Sequence, residues 1–203
     1  MSALLDRLYN LHWVADGVAR SAQPYLGFYA AFLKSHGFRS LINLRGHNPR
    51  FAWWHRERAM CERLGIRHFD VKLSSRKLPA REVVADLFGA FEAAPLPMLM
   101  KCSGGQDRTS LAAALYLLEK KGATALPEAQ AQFAAWPYLH LPGGHQSWLR
   151  EFPAFALEDA GGMPLHEWAV KRYDPQALKK WFDARGLTQS HRGIQRVKRK
   201  AAT

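Results

Sequence analysis

The sequence predicts an α/β domain: a mostly parallel, twisted sheet of four or five strands with helices on both faces, followed by a helical C-terminal extension. Three observations predict it. Over the first 125 residues, breakers divide the chain into short apolar runs that alternate with longer helical patterns, the rhythm of an α/β fold. The apolar run 97–100 leads through a polar, glycine-containing loop straight into an Ala/Leu-rich helical pattern. Finally, 203 residues with 48% hydrophobic and 23% charged side chains have a globular composition and bury roughly 70% of the unfolded surface on folding.

In chain order, two strand-like pieces flank Asp16 and Gly17. Pro24 opens and Gly37 closes an amphipathic run, the Pro-in, Gly-out asymmetry of a helix. Residues 38–44 (FRSLINL) read as a buried strand. Asn48 and Pro49 read as N-cap and first residue of a helix that carries Phe51, Trp54, Met60, Cys61 and Leu64 and stops at Gly65. Residues 66–73 alternate as a strand with Phe69, Val71 and Leu73 on one face. Pro79 opens the next helix, through Val83, Val84, Leu87, Phe88 and Phe91. The short strand 97–100 (PMLM) and a helix over 111–121, closed by Gly122, come next. Helical stretches over 127–135, 146–159 and 164–185 follow, the last broken near Tyr173 and Asp174. We therefore expect a core over residues 1–125, a helical extension over 126–189 packed on it within the same domain, and a basic, mobile tail over 190–203.

The formal net charge of +12 is uneven, because residues 171–203 hold ten Lys/Arg against Asp174 and Asp183. Within the tail, residues 191–200 (HRGIQRVKRK) carry five Lys/Arg, no acid, and only Ile194 and Val197 as apolar anchors. A segment of that kind stays solvated or meets a polyanionic surface, whether RNA, phospholipid headgroups or an acidic partner. The longest apolar run, 111–118, is far short of the ~20 residues of a transmembrane helix. Residues 1–10 mix acid and base among leucines and lack the layout of a secretory signal. A soluble, cytoplasmic protein is expected, with Cys61 and Cys102 as free thiols and no Cys/His spacing suited to structural zinc. Cys61 is expected in the core, His140 and His145 in exposed loops, and Trp53, Trp54, Trp136, Trp148, Trp168 and Trp181 in packing between the sheet and the added helices.

The loop 101–110 (KCSGGQDRTS) carries the chemistry. A strand, a tight loop and a helix N-terminus aim several backbone N–H groups and the positive end of the helix dipole into one small space, which makes an oxyanion cradle. A thiol at that mouth, near a guanidinium, is pushed toward thiolate. Arg108 offers a planar fork for two phosphoryl oxygens. Gly104 and Gly105 let the backbone approach a dianion and allow positive φ. The run C-x-x-G-x-x-R-T from Cys102 to Thr109 matches the signature of the cysteine-dependent phosphatases.

On these residues the chain resembles the protein tyrosine and dual-specificity phosphatase superfamily, and within it the compact bacterial dual-specificity-like branch. GVARSAQP (17–24) and SLINLR (40–45) resemble that branch's opening strands, and the resemblance covers residues 14–121. It implies a phosphomonoester hydrolase with a cysteinyl-phosphate intermediate and neither metal nor other cofactor. Cys102 would be the nucleophile, Arg108 the phosphate clamp and Thr109 the donor to the leaving thiolate, with Ser103, Gly104, Gly105, Gln106 and Asp107 forming the amide cradle. The implied partner is a phosphorylated substrate, with a phosphoprotein favoured. Lys101 stands where the family usually has histidine. For the general acid there are two candidates, and Asp107 is favoured because similar C-x-x-G-x-D-R-T loops use that aspartate. Asp70, 32 residues before Cys102, sits at the family's usual spacing but inside an apparent strand, where a salt bridge to Lys72 or Arg67 explains it equally. Lys72, Arg76 and Lys77 would overlook the site. An RNA-end or phosphoinositide phosphatase, a phosphate-binding module without turnover, and a sulfurtransferase are the competing readings.

Overall fold

A computed structural model describes residues 2–24 and 27–197. The chain begins with α1 (Ser2–Leu8), and a hairpin of β1 (His12–Ala15) and β2 (Val18–Ser21) follows. Next come α2 (Tyr29–Ser35), β3 (Ser40–Asn43), α3 (Ala52–Arg63), β4 (Arg67–Asp70), α4 (Arg81–Ala93), β5 (Met98–Lys101) and α5 (Asp107–Lys121). The extension adds α6 (Leu126–Ala131), α7 (Trp148–Ala160), α8 (Leu165–Lys171) and α9 (Pro175–Ala184). Five strands form one sheet in the order β1-β2-β5-β3-β4. The β1–β2 pair is antiparallel and the other pairings are parallel.

Alternation of side chains across the pleat assigns each face its helices. Ala19, Leu41 and Leu99 join a core with residues of α1, α2 and α3, including Leu5, Phe32, Met60 and Cys61. Val18, Ile42, Met98 and Met100 face the larger core built with α4, α5 and the helices of the extension. Residues Thr109–Leu118 of α5 are all buried, because α5 packs against α4, α6, α7 and α8. A helix enclosed in this way needs no polar face, which is why its Ala/Leu run is continuous. Parallel register sets Ser21 beside Lys101, Lys101 beside Asn43 and Asn43 beside Asp70, so one row of residues marks the carboxyl edge of four strands. In open α/β sheets ligands bind at that edge.

Several boundaries differ from expectation. The helix α1 falls where the sequence shows only mixed charge and leucine. Helix α2 starts at Tyr29 rather than at Pro24, since Gln23 is held in the extended chain by the bond from its N–H to Ser103 O at 3.0 Å. Asn48 does not cap α3, whose N-cap is Phe51; its amide donates to the carbonyls of Arg45 (2.6 Å) and Gly46 (2.7 Å) and closes the preceding turn. Strand β4 ends at Asp70, and Val71 and Leu73 continue into the core beyond it. Helix α6 is shorter than the 127–135 pattern and is preceded by a 3-10 turn.

The tail read as mobile is docked over its described part. Leu78 and Ile194 form a parallel bridge, with Leu78 N donating to Gly193 O (2.9 Å), Gln195 N to Leu78 O (2.8 Å) and Arg192 N to Arg76 O (2.7 Å). Ile194 packs on the larger core. Counting apolar anchors missed these main-chain bonds, which hold a segment whatever its side chains. The final six positions of the basic run and its end, 198–203, lie outside the described residues.

Candidate active site

The central strand β5 delivers Cys102 to the carboxyl edge, and loop 103–106 turns into α5, whose first residue is Asp107. Gly105 has φ +66°, and a Cβ there would lie 2.5 Å from Ala22 N and 2.7 Å from Ser21 C. Only glycine lets the loop press onto the end of β2. Gly104 carries no such constraint, since a Cβ would meet only the Gln106 side chain, at 3.4 Å. The Cys102 thiol is buried and Thr109 Oγ1 is 4.0 Å from its sulfur. Burial works to raise the pKa of the thiol. The charge of Arg108 and the backbone N–H groups of Thr109, Gln106 and Gly105 outweigh it, and the net direction is down. Arg108 donates from Nη2 to Ser103 Oγ at 3.0 Å, while its Nε is buried without a hydrogen-bond partner among the described residues. A buried, unsatisfied guanidinium donor is costly unless a further acceptor is meant to meet it.

Arg20, on β2, braces the loop from behind. Its side chain is fully buried and donates to Gly105 O (2.9 Å), Gln106 O (3.2 Å) and Ser110 Oγ (2.7 Å), and on its other arm to Gln132 O (3.0 Å). The Tyr138 ring lies 4.4 Å from the guanidinium carbon. Asn10 makes a parallel tie, donating to Gly105 O (3.2 Å) and Tyr138 O (3.3 Å). Burial lowers the pKa of Arg20 to about 10, so it stays charged near neutrality.

Solved structures share this architecture. TpbA of P. aeruginosa matches over 88% of this chain and 93% of its own, with 18% identity and a TM-score of 0.52. The core catalytic domain of the PP-IP phosphatase SIW14 of S. cerevisiae matches over the same shares at 16% identity and TM-score 0.51. The DUF442 protein of Shewanella putrefaciens CN-32 matches 74% of this chain and 97% of its own, at 18% identity and TM-score 0.55. The fold is that of the cysteine-dependent phosphatases. No family model matches the sequence, and no curated protein matches it either.

On this phosphatase fold the two candidate acids sit in different company. Asp70 accepts from Asn43 Nδ2 (2.7 Å) and from Trp54 Nε1 (2.9 Å), so its partners are neither Lys72 nor Arg67; it ties β4 to β3 and α3. Asp107 Oδ2 accepts from Gln146 Nε2 at 2.6 Å, and its Oδ1 is 3.3 Å from His140 Nδ1. His140 is buried, contrary to the expected exposed loop histidine, and its ring meets Phe133 edge-on; His145 is half-exposed. Both contacts to Asp107 come from the extension.

Lys101, standing where histidine is usual, is fully buried and bonds Glu57 Oε1 (2.7 Å) and Gln23 Oε1 (2.6 Å). Glu57, on α3, also accepts from Gln23 Nε2 (2.8 Å), Tyr29 OH (3.0 Å) and His68 Nε2 (3.0 Å). Burial pushes Glu57 up, but the bonds from His68 and Lys101 hold it down at about 2; burial brings Lys101 down to about 8 against the pull of Glu57. Cys61 lies in the core, and burial pushes its thiol up to about 12. The expected tryptophan packing between the sheet and the added helices holds for Trp148 and Trp168, with Trp181 partly buried against the same core; Trp54 is buried, but beside His47 and Asp70 rather than against the extension, and Trp136 is 79% exposed. Of the supporting residues, Arg20 was visible only as part of the run GVARSAQP, as a charge inside an apolar strand. Asn10, Gln132, His140 and Gln146 gave no local signal. Among the described residues no helix is long and apolar enough to cross a membrane.

Proposed function

We propose that this protein is a phosphomonoester hydrolase of the dual-specificity type, working through a cysteinyl phosphate on Cys102. One observation carries the reading: Cys102, Arg108 and the loop amides act together to hold a buried thiol below its ordinary pKa. In this reading the amides of residues 103–107 and the Arg108 fork bind the phosphoryl oxygens, and the Cys102 thiolate attacks phosphorus in line. The P–O bond to the leaving group breaks as Asp107 gives that oxygen its proton. Water then attacks the phosphorus, Asp107 takes up the water's proton, and the S–P bond breaks with Thr109 donating to the departing sulfur.

SIW14 is named a PP-IP phosphatase, whereas the sequence reading favours a phosphoprotein, and a shared fold does not choose between substrates. The decisive experiment is turnover of a generic aryl phosphate in the presence of chelator, with acid quench and mass spectrometry of the peptide containing Cys102. A phosphorylated Cys102 in the wild type, and neither adduct nor turnover in Cys102→Ser, is the expected result. Turnover that survives in Cys102→Ser overturns the mechanism, and oxyanion binding without any turnover would make the protein a binding module.

A further inference from the structure

A trough of about 430 Å³ lies between the loop 72–77 and the docked C-terminal segment, with Arg108 on its lining. Lys72, Arg76, Lys77 and Arg196 line it, together with Arg45, and no carboxylate does. None of Lys72, Arg76, Lys77 and Arg196 has an ion-pair partner among the described residues. The wall is built, not draped. Gln195 donates from Nε2 to Lys72 O (2.7 Å) in addition to its main-chain bond to Leu78, which fixes the segment bearing Arg196 opposite the loop bearing Lys72. On the loop side Gly46 (φ +71°) allows close contact: a Cβ there would lie 2.4 Å from Lys72 Cβ. Crowding this many like charges costs free energy unless an anion joins them.

We propose that this trough is a second phosphate subsite, and that the substrate is a small, multiply phosphorylated polyol, free or as a lipid headgroup, with one phosphate on the Cys102 loop and another in the trough. The inference rests on the phosphatase reading only in taking the loop-bound phosphate as the one cleaved. Arginines suit phosphate because the planar fork meets two oxygens at once. Leu73 is the one apolar side chain on the lining, so an aromatic ring or an apolar peptide flank finds little to pack on. A nucleic-acid strand would need a long basic track, and the trough is compact.

The test uses full-length Cys102→Ser protein, in which binding is separated from turnover. Calorimetric titration compares myo-inositol hexakisphosphate, myo-inositol monophosphate, a doubly phosphorylated peptide, and phosphatidylcholine vesicles with or without phosphatidylinositol bisphosphate. The hexakisphosphate is expected to bind about 100-fold more tightly than the monophosphate, and Lys72→Ala and Arg196→Ala each to cut that binding about tenfold, as loss of a charge-assisted bond to phosphate does. Both side chains are exposed, so neither change threatens folding. Binding of soluble polyol alone identifies a free substrate; binding of the charged vesicles as well identifies a headgroup. Equal affinity for the two inositol phosphates, or indifference to both substitutions, overturns the subsite. Tightest binding of the peptide overturns the polyol assignment. If wild-type protein turns over no aryl phosphate yet the polyol preference and its loss in the variants hold, the subsite stands and the phosphatase reading falls.

Discussion

Cys102 is buried, and burial by itself works against a thiolate, so its lowered pKa depends on the groups that oppose burial, Arg108 first among them. A cysteine that loses its proton below the ordinary thiol range gives a rate that rises with pH and levels off earlier than a free thiol would. Alkylation of Cys102 by iodoacetamide, followed across pH, should show that early rise in the wild type and a displacement to higher pH in Arg108→Met; coincident profiles would remove Arg108 from thiol activation. Asp107 and Asp70 separate by leaving group. Asp107→Asn should slow hydrolysis of alkyl phosphates by roughly 10² to 10⁴, the range for loss of a general acid, and affect dinitrophenyl phosphate far less. Asp70→Asn should instead lower the melting temperature, because it disturbs the bonds from Trp54 and Asn43. The reverse pattern would make Asp70 the acid. Since Gln146 donates to the Asp107 carboxylate, Gln146→Leu should reproduce a milder form of the same leaving-group dependence.

Between elements, the buried Glu57–Lys101 pair joins α3 to β5. Glu57→Gln leaves the Lys101 ammonium buried without its counter-charge, and breaking a buried pair from one side costs about 3 to 5 kcal/mol; chemical denaturation of the variant measures it, and a loss under about 1 kcal/mol would show the pair to be dispensable. The two partners shift in ways that pull apart: the carboxylate gains from its four donors, while the ammonium loses more to burial than Glu57 returns. With Glu57 held at about 2, against 4.5 for the free group, its stabilisation is complete above 4.5 and fades as pH falls toward 2. For Lys101, lowered to about 8 from 10.5, folding is disfavoured wherever the group is charged, and stability rises as pH climbs from 8 to 10.5. These partners also mark where sequence reading stops. The loop 102–109 is contiguous, so spacing alone displays Cys102, Arg108 and Thr109 together, and Gly122 ends α5 as the sequence predicts, with φ +74°. Arg20 reaches Gln132 across 112 positions and Gly105 across 85, and no local pattern encodes such a meeting. The start of α3 is hidden from the sequence for a related reason: Asn48 and Pro49 do sit at a break, but the Asn48 amide serves the turn at Gly46.

The extension and the sheet share one core, and the loop 103–106 is clamped between them. Helix α5 has α6 and α7 against it, α8 covers α4, and Trp148, Phe152, Trp168 and Phe182 are fully buried in the same cluster as Val18 and Ile42. Arg20 then couples packing to the site, because one guanidinium holds the loop carbonyls with one arm and Gln132 with the other. Removing residues 126–203 would expose the side of α5 that packs against α6, α7 and α8 and leave one arm of a buried Arg20 without acceptors, a loss too large for a domain with only about 5 to 15 kcal/mol of net stability. The full chain should therefore unfold in one transition, with far-UV circular dichroism and tryptophan fluorescence superimposing, and the fragment 1–125 should show no cooperative melt. In native-state hydrogen exchange, Arg20→Met should speed exchange together in segments 103–110 and 132–140 while β3 keeps its protection. Two resolved transitions in the full chain, or a fragment 1–125 that melts sharply by itself, would show that the extension is an appendage and that the loop 103–106 takes its shape from the sheet alone.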